Sequence, residues 1–222
     1  DGVLLLESSK QYDVTMRIFN ADGSEAEMCG NGARCAALFC HKVLGFDKKF
    51  VMETIAGAVN AIVGKTQVKV KLPDPFDFRD LSPIEVDDGI FYFYFINTSV
   101  PHVVIFEESI DDFPVVPIGR QIRLHEHFYP NGTNVNFVHI ADKKTVQIRT
   151  YERGVEDETL ACGTGSTAAA IISVLIEKCS SPVTVVTQAK EKLTISFDRH
   201  KFDVTNVYLK GRAHFIYQGI IS

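Results

Sequence analysis

One motif occurs twice in this chain, and its repetition constrains the fold more than any average property. Leu160-Ala161-Cys162-Gly163-Thr164-Gly165-Ser166-Thr167-Ala168-Ala169-Ala170 opens a helix-forming, apolar run that continues to Glu177. Upstream, Met28-Cys29-Gly30-Asn31-Gly32-Ala33-Arg34-Cys35-Ala36-Ala37 has the same form. An offset of 133, the separation of Cys29 and Cys162, also lays Glu25 on Glu158, Gly30 on Gly163, Gly32 on Gly165 and Ala36 on Ala169. Self-similarity of this kind marks an internal duplication. Two related halves are expected, each with a cysteine where a helix begins.

A helix start leaves N–H groups unpaired and carries partial positive charge. Glycines there let the backbone approach an anion closely, and a cysteine in the same field should ionise more readily. Each half therefore offers one reactive sulfur beside a nest of amides. Two such halves facing each other would grip a carboxylate and leave one sulfur on either face of the adjacent carbon. That layout can remove a proton from one face of an α-carbon and return one to the other. Taken singly, either stretch reads equally well as a buried thiol beside a turn. The repetition is what favours chemistry.

The chain has 222 residues, enough for one or two domains with a sizeable core. Its net charge of −5 and lack of a basic block argue against a nucleic-acid surface. The apolar run at 168–176 is too short to span a membrane. Five cysteines is an odd number without a disulfide framework, so a reducing, cytoplasmic setting is expected. Cys35, Cys40 and Cys179 lie among Ala, Leu and Ile and read as core packing. A zinc site from Cys29, Cys35, Cys40 and His41 lacks the usual spacing, and neither Gly-x-Gly continues as a P-loop.

Alternation and turn residues predict strands at 3–6, 14–19, 50–54, 58–63 and 67–72, with a helix over 32–43 closed by Gly45. The Pro- and acid-rich stretch 72–83 reads as a linker. Further strands are predicted at 90–96, 103–106, 134–140, 146–151, 183–187, 193–197, 207–209 and 213–221. Between them come a loop at 111–117, a short helix from Gly119, and a long helix over about 165–179. This order, with its short links, favours an α+β class in which mostly antiparallel sheets each wrap one long helix.

The stretches RIFNADGSEAEMCGNGARC and YERGVEDETLACGTGSTAAA resemble the two signature segments of the diaminopimelate epimerase family, and the likeness runs on to VYLKGRAHFIYQGII. The resemblance implies two pseudo-symmetric α+β domains, 1–74 plus 211–222 and 75–210, with the active site in the cleft between them. It implies a cofactor-independent epimerase, without metal, that converts LL-2,6-diaminopimelate to the meso form for lysine and peptidoglycan precursors. One of Cys29 and Cys162 would be the thiolate base and the other the thiol acid. The amides that follow (Gly30, Asn31, Gly163 and Thr164) would stabilise charge on the α-carboxylate. His102, which follows Pro101, and Glu152 would tune the thiols, and Glu152 would also accept from an ammonium group. Arg153, which the offset of 133 lays on Asn20, would hold the distal carboxylate with Asn20 and Asn134 beside it. Tyr217 matches a position on the terminal strand where the family dimerises, so a homodimer is expected.

This sequence departs from the family pattern at Val100, where many relatives carry Asn, and at Gly2, where some carry Gln. The Gly-x-Gly-Asn-Asp-Phe segment with which the family begins, and whose Asn touches substrate, has no match, so the numbering is expected to start part-way into the protein. Two other readings stand beside this one. One is a different cofactor-independent racemase of the same fold, of proline or glutamate type. The other is a thiol redox or binding protein.

Overall fold

The structure, a computed structural model, describes residues 2–20, 23–217 and 219. The chain separates into two compact units, Asp1–Lys71 with Lys210–Ser222, and Leu72–Leu209. No helix among the described residues is long and apolar enough to cross a membrane.

The first unit begins with β1 (Val3–Glu7), β2 (Val14–Phe19) and a short β3 (Glu25–Ala26). Then come α1 (Gly30–Lys42), β4 (Lys49–Thr54), β5 (Gly57–Val63) and β6 (Val68–Lys71). The strands lie in the order β1-β2-β4-β5-β6, with β3 on β2. All of these pairs are antiparallel except β2 with β4. Strict alternation in β2 sends Val14, Met16 and Ile18 into the core. Helix α1 adds Ala33, Ala36, Ala37 and Cys40 from one stripe.

The second unit opens with β7 (Phe76–Val86), β8 (Gly89–Asn97), β9 (Pro101–Phe106) and α2 (Val115–Arg123). It continues with β10 (Asn134–Asp142), β11 (Thr145–Glu152), β12 (Asp157–Thr159) and α3 (Gly163–Leu175). It ends with β13 (Val183–Val186), β14 (Lys192–His200) and β15 (Asp203–Gly211), whose last two residues fall in the first unit. The order is β15-β14-β13-β11-β10-β9-β8-β7, with β12 on β11. The pairs β9–β10 and β11–β13 are parallel. Every residue of α3 except Thr164 is buried. The period of two along β11 separates the sheet's faces: Tyr151 meets Gly119 of α2, while Thr150 points to the face that carries α3.

The duplication is legible in these registers. The sequence β1-β2-β3-α1-β4-β5 recurs as β10-β11-β12-α3-β13-β14, and both long helices span thirteen residues. Glu25 lies opposite Phe19 and is gripped by Arg17 through two bonds of 2.7 and 2.9 Å. Glu158 lies opposite Tyr151 and is gripped by Arg149 through two bonds of 2.7 Å each. Phe19 therefore corresponds to Tyr151, and Asn20 to Glu152. The expected equivalence of Asn20 with Arg153 is corrected. Six residues (152–157) separate Tyr151 from Glu158, against five (20–24) between Phe19 and Glu25, and Arg153 opens the turn between β11 and β12.

Other expectations change for local reasons. The linker expected to reach Pro83 is strand β7, a sheet edge, where a missing N–H is tolerated. The loop expected through Pro117 ends at Pro114, because Pro117 sits in the first turn of α2, where its N–H would be unpaired anyway. Both long helices start two residues earlier than expected, at Gly30 and Gly163, and α3 stops at Leu175 rather than near Cys179. Cys40 and Cys179 are buried as expected, but Cys35 is exposed, on the outer face of α1. Residues 213–217 form no strand, and 218 and 220–222 lie outside the described residues.

Candidate active site

The two repeated cysteines occupy the same local geometry. Cys29 caps α1 with φ −141° and ψ 114°, and Cys162 caps α3 with φ −113° and ψ 115°. This extended backbone turns each side chain over the first helical turn. Cys29 Sγ accepts the Gly32 N–H at 3.3 Å, and Cys162 Sγ accepts the Gly165 N–H at 3.4 Å. The N-cap position usually holds Ser, Thr, Asp or Asn, whose oxygen is a good acceptor. Sulfur is a weak one, so stability alone would select oxygen. Cys29 is half-buried and Cys162 is 7% exposed.

Glu152, at the end of β11, adjoins Cys162. Its carboxyl accepts from Thr159 Oγ1 at 2.8 Å and is hydrogen-bonded to the Cys162 thiol. Burial raises the Glu152 carboxyl above the usual carboxylate range, and those two bonds oppose the rise. The Thr164 hydroxyl lies 3.5 Å from Cys162 Sγ, and Thr98 Oγ1 donates to the Thr164 carbonyl at 3.0 Å, tying the β8–β9 turn to the helix start.

His102 is fully buried on β9 and stands in register with Asn134 of β10. Burial, with the Arg153 charge adding to it, pushes its pKa down to about 3, so the ring is neutral. Its Nδ1 lies 3.2 Å from Asn136 Nδ2, whereas a thiol partner was expected. Asn136 also donates to the Val103 carbonyl at 2.7 Å and accepts from Thr150 Oγ1 at 3.0 Å. A Cβ on Gly165 would collide with Asn136 Oδ1, so this glycine both caps the sulfur and leaves room for the amide. Asn136 was not singled out in the sequence. The Asn-Val-Asn alternation of 134–136, which puts both amides on one strand face, is the signal that could have found it.

The family model described as diaminopimelate epimerase matches residues 1–74 and 94–216. The chain belongs to the diaminopimelate epimerase family. The diaminopimelate epimerases of Hydrogenobaculum sp. (strain Y04AAS1) and Aquifex aeolicus (strain VF5) are each 43% identical to it, over 100% of this chain and 80% of theirs. That of Archaeoglobus fulgidus is 40% identical over the same shares. Among solved structures, a hydroxyproline epimerase from Agrobacterium vitis superposes with a TM-score of 0.74 at 15% identity, covering 95% of this chain and 72% of that one. A PhzF-family phenazine biosynthesis protein of Bacillus anthracis gives 0.70 at 15% identity, over 95% and 81%. At such identities the likeness concerns the fold, a sheet-rich α+β architecture of two similar halves.

The remaining residues picked out by family resemblance have these positions. Asn134 is buried, and its carboxamide is engaged at both ends. Nδ2 donates to the Pro101 carbonyl at 3.0 Å and Oδ1 accepts the Arg153 N–H at 2.9 Å. It thus holds the backbone that carries Arg153. The Arg153 guanidinium reaches the Asn131 carbonyl at 3.0 Å and is half-buried. Asn20 is exposed, and its Nδ2 donates to Ser24 Oγ at 3.0 Å. Asn31 Oδ1 accepts from Arg34, whose buried side chain also donates to the Arg212 carbonyl. Gly30 and Gly163 are buried, and Thr164 is half-buried. Tyr217 is 88% exposed.

Proposed function

We propose that the protein is a cofactor-independent diaminopimelate epimerase that interconverts LL- and meso-2,6-diaminopimelate, serving lysine and peptidoglycan precursor synthesis. The observation that carries this reading is the matched pair of cysteine-capped helix starts, one in each half of a duplicated fold, in a chain of this family. In one direction, one sulfur, as thiolate, takes the α-proton, and the C–H bonding pair stays on carbon as a carbanion. The other sulfur, as thiol, delivers its proton to the opposite face and becomes a thiolate. In the reverse direction the roles exchange. Amides of Gly30, Asn31, Gly163 and Thr164 are suited to the α-carboxylate, on which the carbanion's charge spreads. Glu152 tunes Cys162 through the shared hydrogen bond and is available to an ammonium group.

Arg153 is the group suited to the distal carboxylate, because its planar fork matches two oxygens and Asn134 steadies its backbone. Asn20 and Asn134 complete that end. Lys in place of Arg153 keeps the charge without the fork and should cost about tenfold or more in kcat/KM for diaminopimelate. Unchanged kinetics would remove Arg153 from this role. The protein is further proposed to act in the cytoplasm as a homodimer, with Tyr217, beside the exposed Phe215 and Ile216, at the contact. Light scattering that gives a monomer mass at micromolar concentration would refute the dimer.

The deciding experiment is exchange in D2O. Incubation with LL-diaminopimelate should yield the meso form carrying one deuterium at the inverted carbon. Proline, hydroxyproline and glutamate tested alongside should acquire none. Exchange into one of those instead would favour a racemase of another specificity. No exchange into any substrate would leave a redox or binding protein.

A further inference from the structure

The bonding around Asn136 decides a proton position. The Val103 carbonyl can only accept, so the Asn136 atom 2.7 Å from it is the amide nitrogen. With the nitrogen so placed, the Thr150 hydroxyl donates to Asn136 Oδ1 at 3.0 Å. The nitrogen carries two hydrogens. One goes to Val103 and the other faces His102 Nδ1 at 3.2 Å. A proton on Nδ1 would put two donors against each other, so Nδ1 is the acceptor and the neutral ring bears its hydrogen on Nε2. Nε2 is fully buried and finds no hydrogen-bond partner among the described residues. A buried donor left unpaired costs free energy and calls for an explanation, a catalytic role among them; the Asn136 amide that holds this ring lies against Gly165 in the turn capped by Cys162.

We infer that Asn136, braced by Thr150, is a positioning residue that fixes His102 as the Nε2–H tautomer, so that this histidine serves the active site as a neutral hydrogen-bond donor to an anion and not as a base. The inference rests on the proposed epimerase reading for its catalytic meaning, but the tautomer itself does not. The Gly-x-Gly of the second half acquires a second purpose: Gly165 lacks a Cβ so that Asn136 fits beneath the cysteine-capped turn.

The test is a long-range proton–nitrogen NMR spectrum of histidine-labelled protein at pH 7, with His102 assigned as the pattern lost in His102→Gln. The expected pattern is that of a neutral ring with Nε2–H. An Nδ1–H or imidazolium pattern would overturn the inference. Asn136→Asp supplies a carboxylate that can only accept, so the pattern should change to Nδ1–H or imidazolium. In the same variant kcat for diaminopimelate should fall by at least tenfold, with KM altered less than threefold. A variant that keeps the Nε2–H pattern would show that Asn136 does not set the tautomer, and an unchanged kcat would remove its functional meaning. If Asn136→Asp fails to fold, the wild-type pattern alone decides. An inactive protein with the Nε2–H pattern refutes the epimerase reading and leaves the tautomer assignment intact. An active one with Nδ1–H does the reverse.

Discussion

The starts of α1 and α3 are alike in their caps and unlike in what lies beside them. Each has a cysteine sulfur bonded to the N–H three residues on, at 3.3 and 3.4 Å. At Gly32 the nearest side chain in the way of a Cβ is Leu4, at 3.0 Å, whereas at Gly165 it is the Asn136 amide. The registers make these positions equivalent, since Leu4 faces Ile18 as Asn136 faces Thr150. The first half thus closes its helix start with an apolar pair. The second closes it with a polar chain running from Thr150 through Asn136 to His102. Likewise Asn20, neutral and exposed, stands where the second half has Glu152 bonded to Cys162. The cap is a backbone feature that Cys-Gly-x-Gly specifies, so duplication preserves it. The neighbouring side chains were free to diverge, and they make the surroundings of the two sulfurs chemically unequal.

The strongest way to break the comparison is to remove the sulfurs. Cys29→Ala and Cys162→Ala should each lower epimerisation about a thousandfold or more, within the usual range for an acid or base group. Coupled assays in both directions check this, and near-normal turnover in either variant would mean the halves are not partners.

The next largest effect belongs to the second half alone. The pKa of His102 is lowered from 6.5 to about 3 on folding. Between these values the unfolded chain binds a proton that the folded chain refuses. The stability contribution is full above pH 6.5 and declines as pH falls toward 3, by about 1.4 kcal/mol per pH unit. Urea unfolding of His102→Gln should show a correspondingly shallower acid slope than the parent. Identical slopes would mean the buried ring already carries a proton.

Adding a methyl group to each glycine sharpens the contrast further. Gly165→Ala drives a Cβ into Asn136 and should cost about 1–3 kcal/mol. Gly32→Ala meets only the movable tip of Leu4 and should cost less. Equal unfolding midpoints would show that the two sites are equally tight.

The smallest expected difference concerns the paired Arg–Glu forks. The Arg149–Glu158 side chains are 14% and 16% exposed, against 40% and 26% for Arg17–Glu25. Glu158→Gln should lower stability by about 1–3 kcal/mol, since it weakens charge-assisted bonds in a poorly solvated site. Glu25→Gln should produce a smaller shift in the urea midpoint, because solvent screens an exposed pair.

Much of this protein could be read along the chain. The repeat of Cys-Gly-x-Gly announced the duplication, the two helix starts and both cysteines, because a cap and its glycines act within one turn of backbone. Alternation announced β2 without error, since a strand with one face buried writes its period into adjacent residues. Local rules failed where a distant partner sets the outcome. Strand β7, with its acids and Pro83, forms because β8 pairs with it. Cys35 looks like a core residue by its neighbours, but it lies on the face of α1 that remains exposed.

The sequence by itself determined that there are two halves, that each presents a sulfur among unpaired amides, and that the chain has the motifs of one family. Only the tertiary structure decided what surrounds those sulfurs. Glu152 rather than Arg153 answers to Asn20, because sheet register rather than a constant offset aligns the two turns. His102, Asn136 and Thr150 form one chain although they come from three strands, because hydrogen bonds across a sheet connect residues by register and face. Spacing along the sequence carries no record of either.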